Sequence, residues 1–248
     1  MKKILLLTTL TIVLFGESSM EIAKKSYENM SGYKDSISIN TMILKNAQGV
    51  ENIRKLEIKK LESSDGDKTL VGFLYPIDIK DTKLLSYEEI GEDDKQWLYL
   101  PALKRVKRIS SGDKSGSFMA SEFSYEDISS QNYKKYSYLE EVQKIVKDDA
   151  EYFVITRVPK DKESGYLKQV LYIDTQTYLA KFGAYFDKQN RLLKEVSFLE
   201  YIKLEGVYRI KKMEMFNVQT KKSSVLTWDE DRIKVGLSED DFSKRVLQ

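Results

Sequence analysis

The side chains able to do chemistry crowd together between residues 96 and 128. Four cations, Lys104, Arg105, Lys107 and Arg108, follow an aromatic stretch. A Gly/Ser-rich turn comes next, and Glu122, Glu126 and Asp127 close the block. Cations at this density can bind phosphate or carboxylate groups, and paired carboxylates can move protons. The run Ser111-Gly112-Asp113-Lys114-Ser115-Gly116 invites comparison with a phosphate loop, but it lacks the GxxxxGK[ST] spacing and no helix is predicted directly after it. The acidic pairs Asp93-Asp94 and Asp240-Asp241 read as loop and helix-end residues rather than a glycosidase dyad. No acidic loop has calcium-ligand spacing. We therefore predict no metal, no cofactor and no catalytic set.

Composition narrows the field further. The chain contains neither cysteine nor histidine, which excludes Cys/His zinc centres, thiol nucleophiles and any triad with a His base. Its 248 residues are 41% hydrophobic, enough for a packed core without disulfide staples. Charged residues make up 32%, yet acids and bases cancel to a net +2, which argues against a nucleic-acid partner.

The elements that must position the block are mostly strands. Residues 1–19 read as a secretory signal: Lys2 and Lys3, an apolar run over 4–15, then the small residues Gly16, Ser18 and Ser19. That run is shorter than the ~20 residues of a spanning helix. Residues 20–248 form the remaining domain. A short amphipathic helix is predicted over 21–30, with Ile22, Ala23, Ser26, Tyr27 and Met30 on one face, serving as a plug or a lid for the sheet. Ile37, Ile39, Thr41 and Ile43 then alternate with polar residues, and period-two patterning resumes over 50–61, 69–75 and 97–100. Trp97 and Tyr99 share one strand face, and Leu98 and Leu100 share the other. Further strands follow over 152–158, 166–173, 180–186, 191–204, 207–218 and 223–235, with Ala180, Phe182, Ala184 and Phe186 assigned to a single face. Ser238 is predicted to cap a short terminal helix that docks through Phe242, Val246 and Leu247. Close-spaced turns and no linker predict one large antiparallel sheet or barrel.

The block WLYLPALKRVKRISSGDKSGSFMASEFSYEDI resembles the signature of the outer-membrane lipoprotein-sorting protein family, the LolA/LolB-like group, in the branch associated with proton-driven RND-type exporters. Trp97, the run from Tyr99 through Pro101 to Val106 with Lys104 and Arg105, Arg108-Ile109, Asp113-Lys114, Gly116 to Met119, and Phe123-Ser124-Tyr125-Glu126-Asp127 carry the likeness. Two positions depart: Ala120 stands where the pattern has Gly, and Glu122 where it has Asp. Alanine at that point restricts the backbone if a positive φ is required.

The resemblance implies a strongly curved, incomplete antiparallel β-barrel with a few covering helices and an apolar concave face that takes acyl chains. It implies a monomeric periplasmic carrier of lipids or lipoproteins without enzymatic activity. Candidate lining residues are Phe73, Leu98, Leu100, Phe118, Met119, Phe182, Phe198, Met213 and Met215, with ordinary core packing as the alternative for each. Trp97, Tyr99, Pro101, Lys104, Arg105, Arg108, Phe123, Tyr125 and Asp127 are the candidate motif or partner-facing group. Three readings of the basic run stay open: a solvated sheet edge, internal pairing with Glu122, Glu126 and Asp127, or contact with headgroups or an inner-membrane exporter.

Overall fold

Alternating residues build a single 14-stranded antiparallel sheet. The computed structural model describes residues 16–247; the proposed signal over 1–19 lies largely outside them. Helix α1 (Ser19–Glu28) comes first. Ser18 caps it and Glu21 returns the hydrogen bond to the Ser18 backbone, so the helix starts two residues earlier than predicted. The first half of the sheet is β1 (Asp35–Lys45), β2 (Glu51–Leu61), β3 (Lys68–Tyr75), β4 (Lys83–Tyr87), β5 (Lys95–Leu100) and β6 (Arg105–Ile109). After an irregular stretch holding α2 (Tyr125–Ile128) come β7 (Tyr136–Tyr138), β8 (Gln143–Lys147), β9 (Ala150–Pro159), β10 (Tyr166–Asp174), β11 (Ala180–Asp187), β12 (Leu192–Leu204), β13 (Val207–Asn217) and β14 (Lys222–Ile233).

The halves join where β1 pairs with β14. The order runs β6-β5-β4-β3-β2-β1-β14-β13-β12-β11-β10-β9, with β7 and β8 both on the far edge of β9. The two edges do not pair with one another, so the barrel is incomplete, as the family resemblance implied. Register shifts mark β1/β14, β2/β3, β10/β11, β11/β12 and β12/β13. Each extra residue bends and twists its strand, and together they curl the sheet.

Two apolar cores result, one on each face. The concave core joins Ile22, Met42, Leu56, Phe73, Leu84, Leu98, Phe118, Ile155 and Met215. The smaller convex core sets Phe242 and Leu247 against Leu70, Leu85 and Trp97. The terminal segment that supplies it consists of two 3₁₀ turns, Glu239–Phe242 and Lys244–Leu247, the first capped by Ser238. Among the described residues no helix is long and apolar enough to cross a membrane.

Alternation misleads at two places. In β1 the inward row is Ser36, Ser38, Asn40 and Met42, while Ile37, Ile39 and Ile43 are half-buried on the outer face. In β10/β11, Tyr172 faces Phe182 but Ile173 faces Ala180, so one residue bulges. Ala180 therefore points inward and Phe182 outward, because an extra residue transfers the rest of a strand to the opposite face.

Candidate functional site

The concave face encloses a hollow of about 270 Å³. Ile58, Val71, Leu171, Ile173, Met213, Met215, Leu226 and Trp228 form its apolar wall. Ala23, Ser26 and Tyr27 of α1, with Met30 just after it, roof it from one side, and Phe123, Ile128 and Tyr133 of the irregular stretch, with Tyr138 of β7, roof it from the other. The two covers meet where the Tyr27 and Tyr133 rings pack with centroids 5.7 Å apart.

The roof is pinned by hydrogen bonds that leave the sheet's ladder intact. Buried Gln96 donates to Ser86 Oγ, Ser129 Oγ and the Tyr125 carbonyl. The Glu122 N–H donates to Ser224 Oγ at 2.9 Å, and Asn217 Nδ2 donates to the Glu122 carboxylate at 2.9 Å. Asp127 accepts from the Ser124 N–H and hydroxyl, closing a capping box on α2. It also accepts from the Tyr166 hydroxyl at 2.8 Å and pairs with Lys194 at 3.2 Å. Glu126 accepts from Ser164 Oγ at 2.6 Å and the Gly165 N–H at 2.9 Å. Burial outweighs those two bonds and pushes the Glu126 carboxyl up to about 7.

The motif acids thus bind the 160–165 turn, β10, β12 and β13, and none pairs with the basic run, which removes internal pairing as a reading. Arg105, Lys107 and Arg108 are exposed on β6, an edge strand, and Lys104 is exposed just before it. Among the described residues Lys107 approaches Asp113 at 3.6 Å, while Lys104, Arg105 and Arg108 make no ion pair. Pro101 opens a 3₁₀ turn that ends at Lys104 in the left-handed region (φ 47°). The other proposed partner-facing residues are covered. Trp97 and Tyr99 lie under the chain's own terminal segment, with Lys244 Nζ 4.2 Å from the Trp97 ring centre. Phe123 is buried and Tyr125 packs edge-on against Phe118.

Of the nine candidate lining residues, Phe198, Met213 and Met215 border the hollow. Phe73, Leu98 and Phe118 do not: they are fully packed beside it, the Phe73 and Phe118 rings 5.6 Å apart. Leu100 and Met119 lean on that packed core, and the Met119 carbonyl accepts from the Arg54 guanidinium. Phe182 sits on the outer face between Tyr152 and Tyr172.

The wall grades from apolar to charged along its strands. Inward positions run Ile58, Lys60, Glu62 from β2 and Phe73, Val71, Thr69, Asp67 towards the start of β3, with Lys60 opposite Thr69 and Ile58 opposite Val71. Arg209 joins this end, forked onto Asp231 at 2.8 and 3.0 Å. Burial, reinforced by the Glu88 carboxylate, pushes Asp67 up to about 6. A smaller, polar recess of about 150 Å³ lies on the other side of Asp127, Ser129 and Gln131 and contains Glu126, Lys114 and Asp94. The sequence analysis missed Lys60, Asp67, Arg209 and Lys194. A charged residue two places beyond Leu56 and Ile58, in the same inward register, was the available signal for Lys60.

Comparison with known proteins adds the lineage. A family model described as an uncharacterized protein matches residues 65–248. A crystal structure of a DUF1329 family protein from Desulfovibrio piger is 30% identical with a TM-score of 0.87, covering 93% of this chain and 98% of that one. The chain belongs to the DUF1329 family. Within the same range lies a Vibrio parahaemolyticus domain that carries the name outer membrane lipoprotein-sorting protein, 42% identical, TM-score 0.87, covering 92% of this chain and 97% of that one. The lipoprotein-sorting likeness read from residues 97–128 is thus met in a solved relative over nearly the whole chain. A LolA superfamily protein from Nitrosomonas europaea shares the fold at 16% identity and a TM-score of 0.77, covering 93% of this chain and 99% of that one. Among curated proteins no match is found.

Proposed function

We propose that this DUF1329 protein is a periplasmic, non-catalytic carrier that shelters acyl chains of lipoproteins or other lipids in transit toward the outer membrane. One observation carries the reading: an apolar hollow of about 270 Å³ remains unfilled beneath a roof that the family motif pins in place. Each methylene moved from water into such a site contributes ~0.8 kcal/mol, so a single long chain supplies enough affinity for retention. Met213 and Met215 suit a wall that meets different chains, because thioether side chains repack at small cost. The Vibrio parahaemolyticus relative's name supports the same cargo class.

The test is lipid uptake by delipidated, mature protein from vesicles, followed by mass spectrometry of the re-isolated complex. Uptake of acyl lipid is expected. Protein that returns lipid-free at saturating vesicle concentration would refute the carrier reading.

A second reading, docking on an inner-membrane RND-type exporter, is favoured by the exposed cations Arg105 and Arg108 on the free edge strand β6 and Lys104 just before it. Reversing Arg105 and Arg108 to Glu should abolish co-purification with the exporter and leave lipid uptake unchanged. Retained co-purification would leave β6 as a solvated edge that deters sheet-to-sheet association.

A further inference from the structure

Resting on the carrier reading, we infer that the hollow is built for a single-chain amphiphile whose acidic head group is held by Lys60. The cavity supplies the first half of the argument. At about 270 Å³ it falls just below the ~300 to ~1,000 Å³ of ordinary ligand pockets. That volume suits one hydrocarbon chain and excludes the several chains of a lipoprotein anchor unless the roof lifts.

The polar end supplies the second half. Its charged groups can be accounted for one by one. Arg209 is committed to Asp231, donates also to Ser36 Oγ at 3.1 Å, and stacks 4.2 Å from the Tyr33 ring centre. Glu62 accepts from the Gly32 and Lys34 N–H groups at 2.7–3.0 Å. Asp67 accepts from the Ser63 N–H at 3.2 Å. Glu88 accepts from the Asp67 N–H at 3.0 Å. Lys60 alone among them makes neither a hydrogen bond nor an ion pair with any described residue. It is half-buried, and burial together with Arg209 holds its ammonium below the usual lysine range against the opposing pull of the Asp67, Asp231 and Glu62 carboxylates. Lys60 borders the hollow.

An ammonium removed from bulk water without an acceptor is costly, and charges in protein interiors are ordinarily paired. The apolar wall leads straight to it: Ile58 is two residues away in the same inward row, and Val71 adjoins Ile58 on β3. A chain lying along Ile58, Val71, Met213 and Met215 would bring its head oxygen to Lys60 Nζ. A carboxylate and a phosphate monoester both satisfy this geometry, since each offers the ammonium a charged acceptor.

Trp228 lines the hollow and the other tryptophan, Trp97, lies on the opposite face, so a Trp97→Phe background gives a single reporter inside the site. Palmitate, hexadecyl phosphate and uncharged hexadecanol would be titrated by Trp228 fluorescence into this protein and into its Lys60→Met and Lys60→Arg forms. Thermal melts establish that each variant is folded. Lys60→Met is expected to weaken the acidic amphiphiles at least tenfold and hexadecanol less than twofold, with Lys60→Arg restoring most of the loss. Loss confined to palmitate assigns a carboxylate head, and loss confined to hexadecyl phosphate assigns a phosphate head. If Lys60→Met binds both acids as tightly as the parent while hexadecanol also binds, the carrier reading survives and the head-group site does not. If none of the three binds the parent protein, both fall.

Discussion

Lys194 Nζ sits 3.2 Å from Asp127 Oδ2 and 2.8 Å from the Tyr166 hydroxyl, so one ammonium closes a buried ring joining the motif to β10 and β12. Both charged side chains are nearly sealed, at 10% and 6% exposure. Removing one partner strands the other charge. Lys194→Met should therefore cost ~3–5 kcal/mol in urea denaturation, whereas the Lys194→Met/Asp127→Asn double variant should recover much of that loss. Equal losses in single and double variants would show that packing, not charge, holds the ring.

Ala120 has φ +61°, where the family pattern has glycine. A left-handed alanine carries a penalty of ~1–2 kcal/mol that glycine does not. Ala120 is also exposed, so little packing is lost by trimming its methyl. Ala120→Gly is expected to stabilise the protein by ~1 kcal/mol, read as a higher urea midpoint at unchanged slope. A lower midpoint would mean that Met119 and Ala120 relax together in solution.

Glu126 titrates inside the fold at about 7, above its ordinary 4.5. The folded state thus holds this proton more tightly than the unfolded chain. The contribution is fully present below pH 4.5 and is lost as pH rises through about 7. Glu126→Gln keeps one acceptor oxygen for the Gly165 N–H, turns its amide N–H towards the Ser164 hydroxyl, which can accept, and removes the titration. It should flatten stability between pH 4.5 and 7, with a gain at pH 8 of at most ~3 kcal/mol. A pH profile parallel to that of the wild type would refute the assignment.

Phe242 is fully buried against Leu70, Leu85 and Trp97 on the outer face. Phe242→Ala leaves a hole there and should cost ~3–5 kcal/mol. Because this core lies across the sheet from the hollow, lipid uptake measured below the melting temperature should not change. A selective loss of uptake would couple the terminal segment to the cargo site.

Local patterning made much of this architecture readable. The α1 helix, the long strands from 152 onward and the Ser238 cap came from spacing and capping rules, and the motif over residues 97–128 indicated the family. What escaped were relationships between distant residues. Trp97 looked like a partner-facing aromatic because its cover, Phe242 and Leu247, comes some 145 residues later. Glu126 and Asp127 looked available to the neighbouring cations until Ser164, Tyr166 and Lys194 claimed them. Ala180 parted from Phe182 onto the opposite face through a one-residue bulge that alternation cannot reveal. Strands β4, β7 and β8 are too short to announce themselves by periodicity. At the site itself, Phe198, Met213 and Met215 were legible as apolar inward residues. Lys60, in the same inward row as Leu56 and Ile58, was not singled out.

The unjoined margins of the sheet, β6 on one side and β7 with β8 on the other, have a mechanical consequence. A closed cylinder can grow in girth only by rupturing a full ladder, at ~1 kcal/mol for every rung. Here the two margins can swing apart through added twist and bending, and every rung survives. Widening the lumen would therefore cost twist and bend rather than hydrogen bonds, and the two register shifts between β12 and β13 are places where the sheet already takes such a bend.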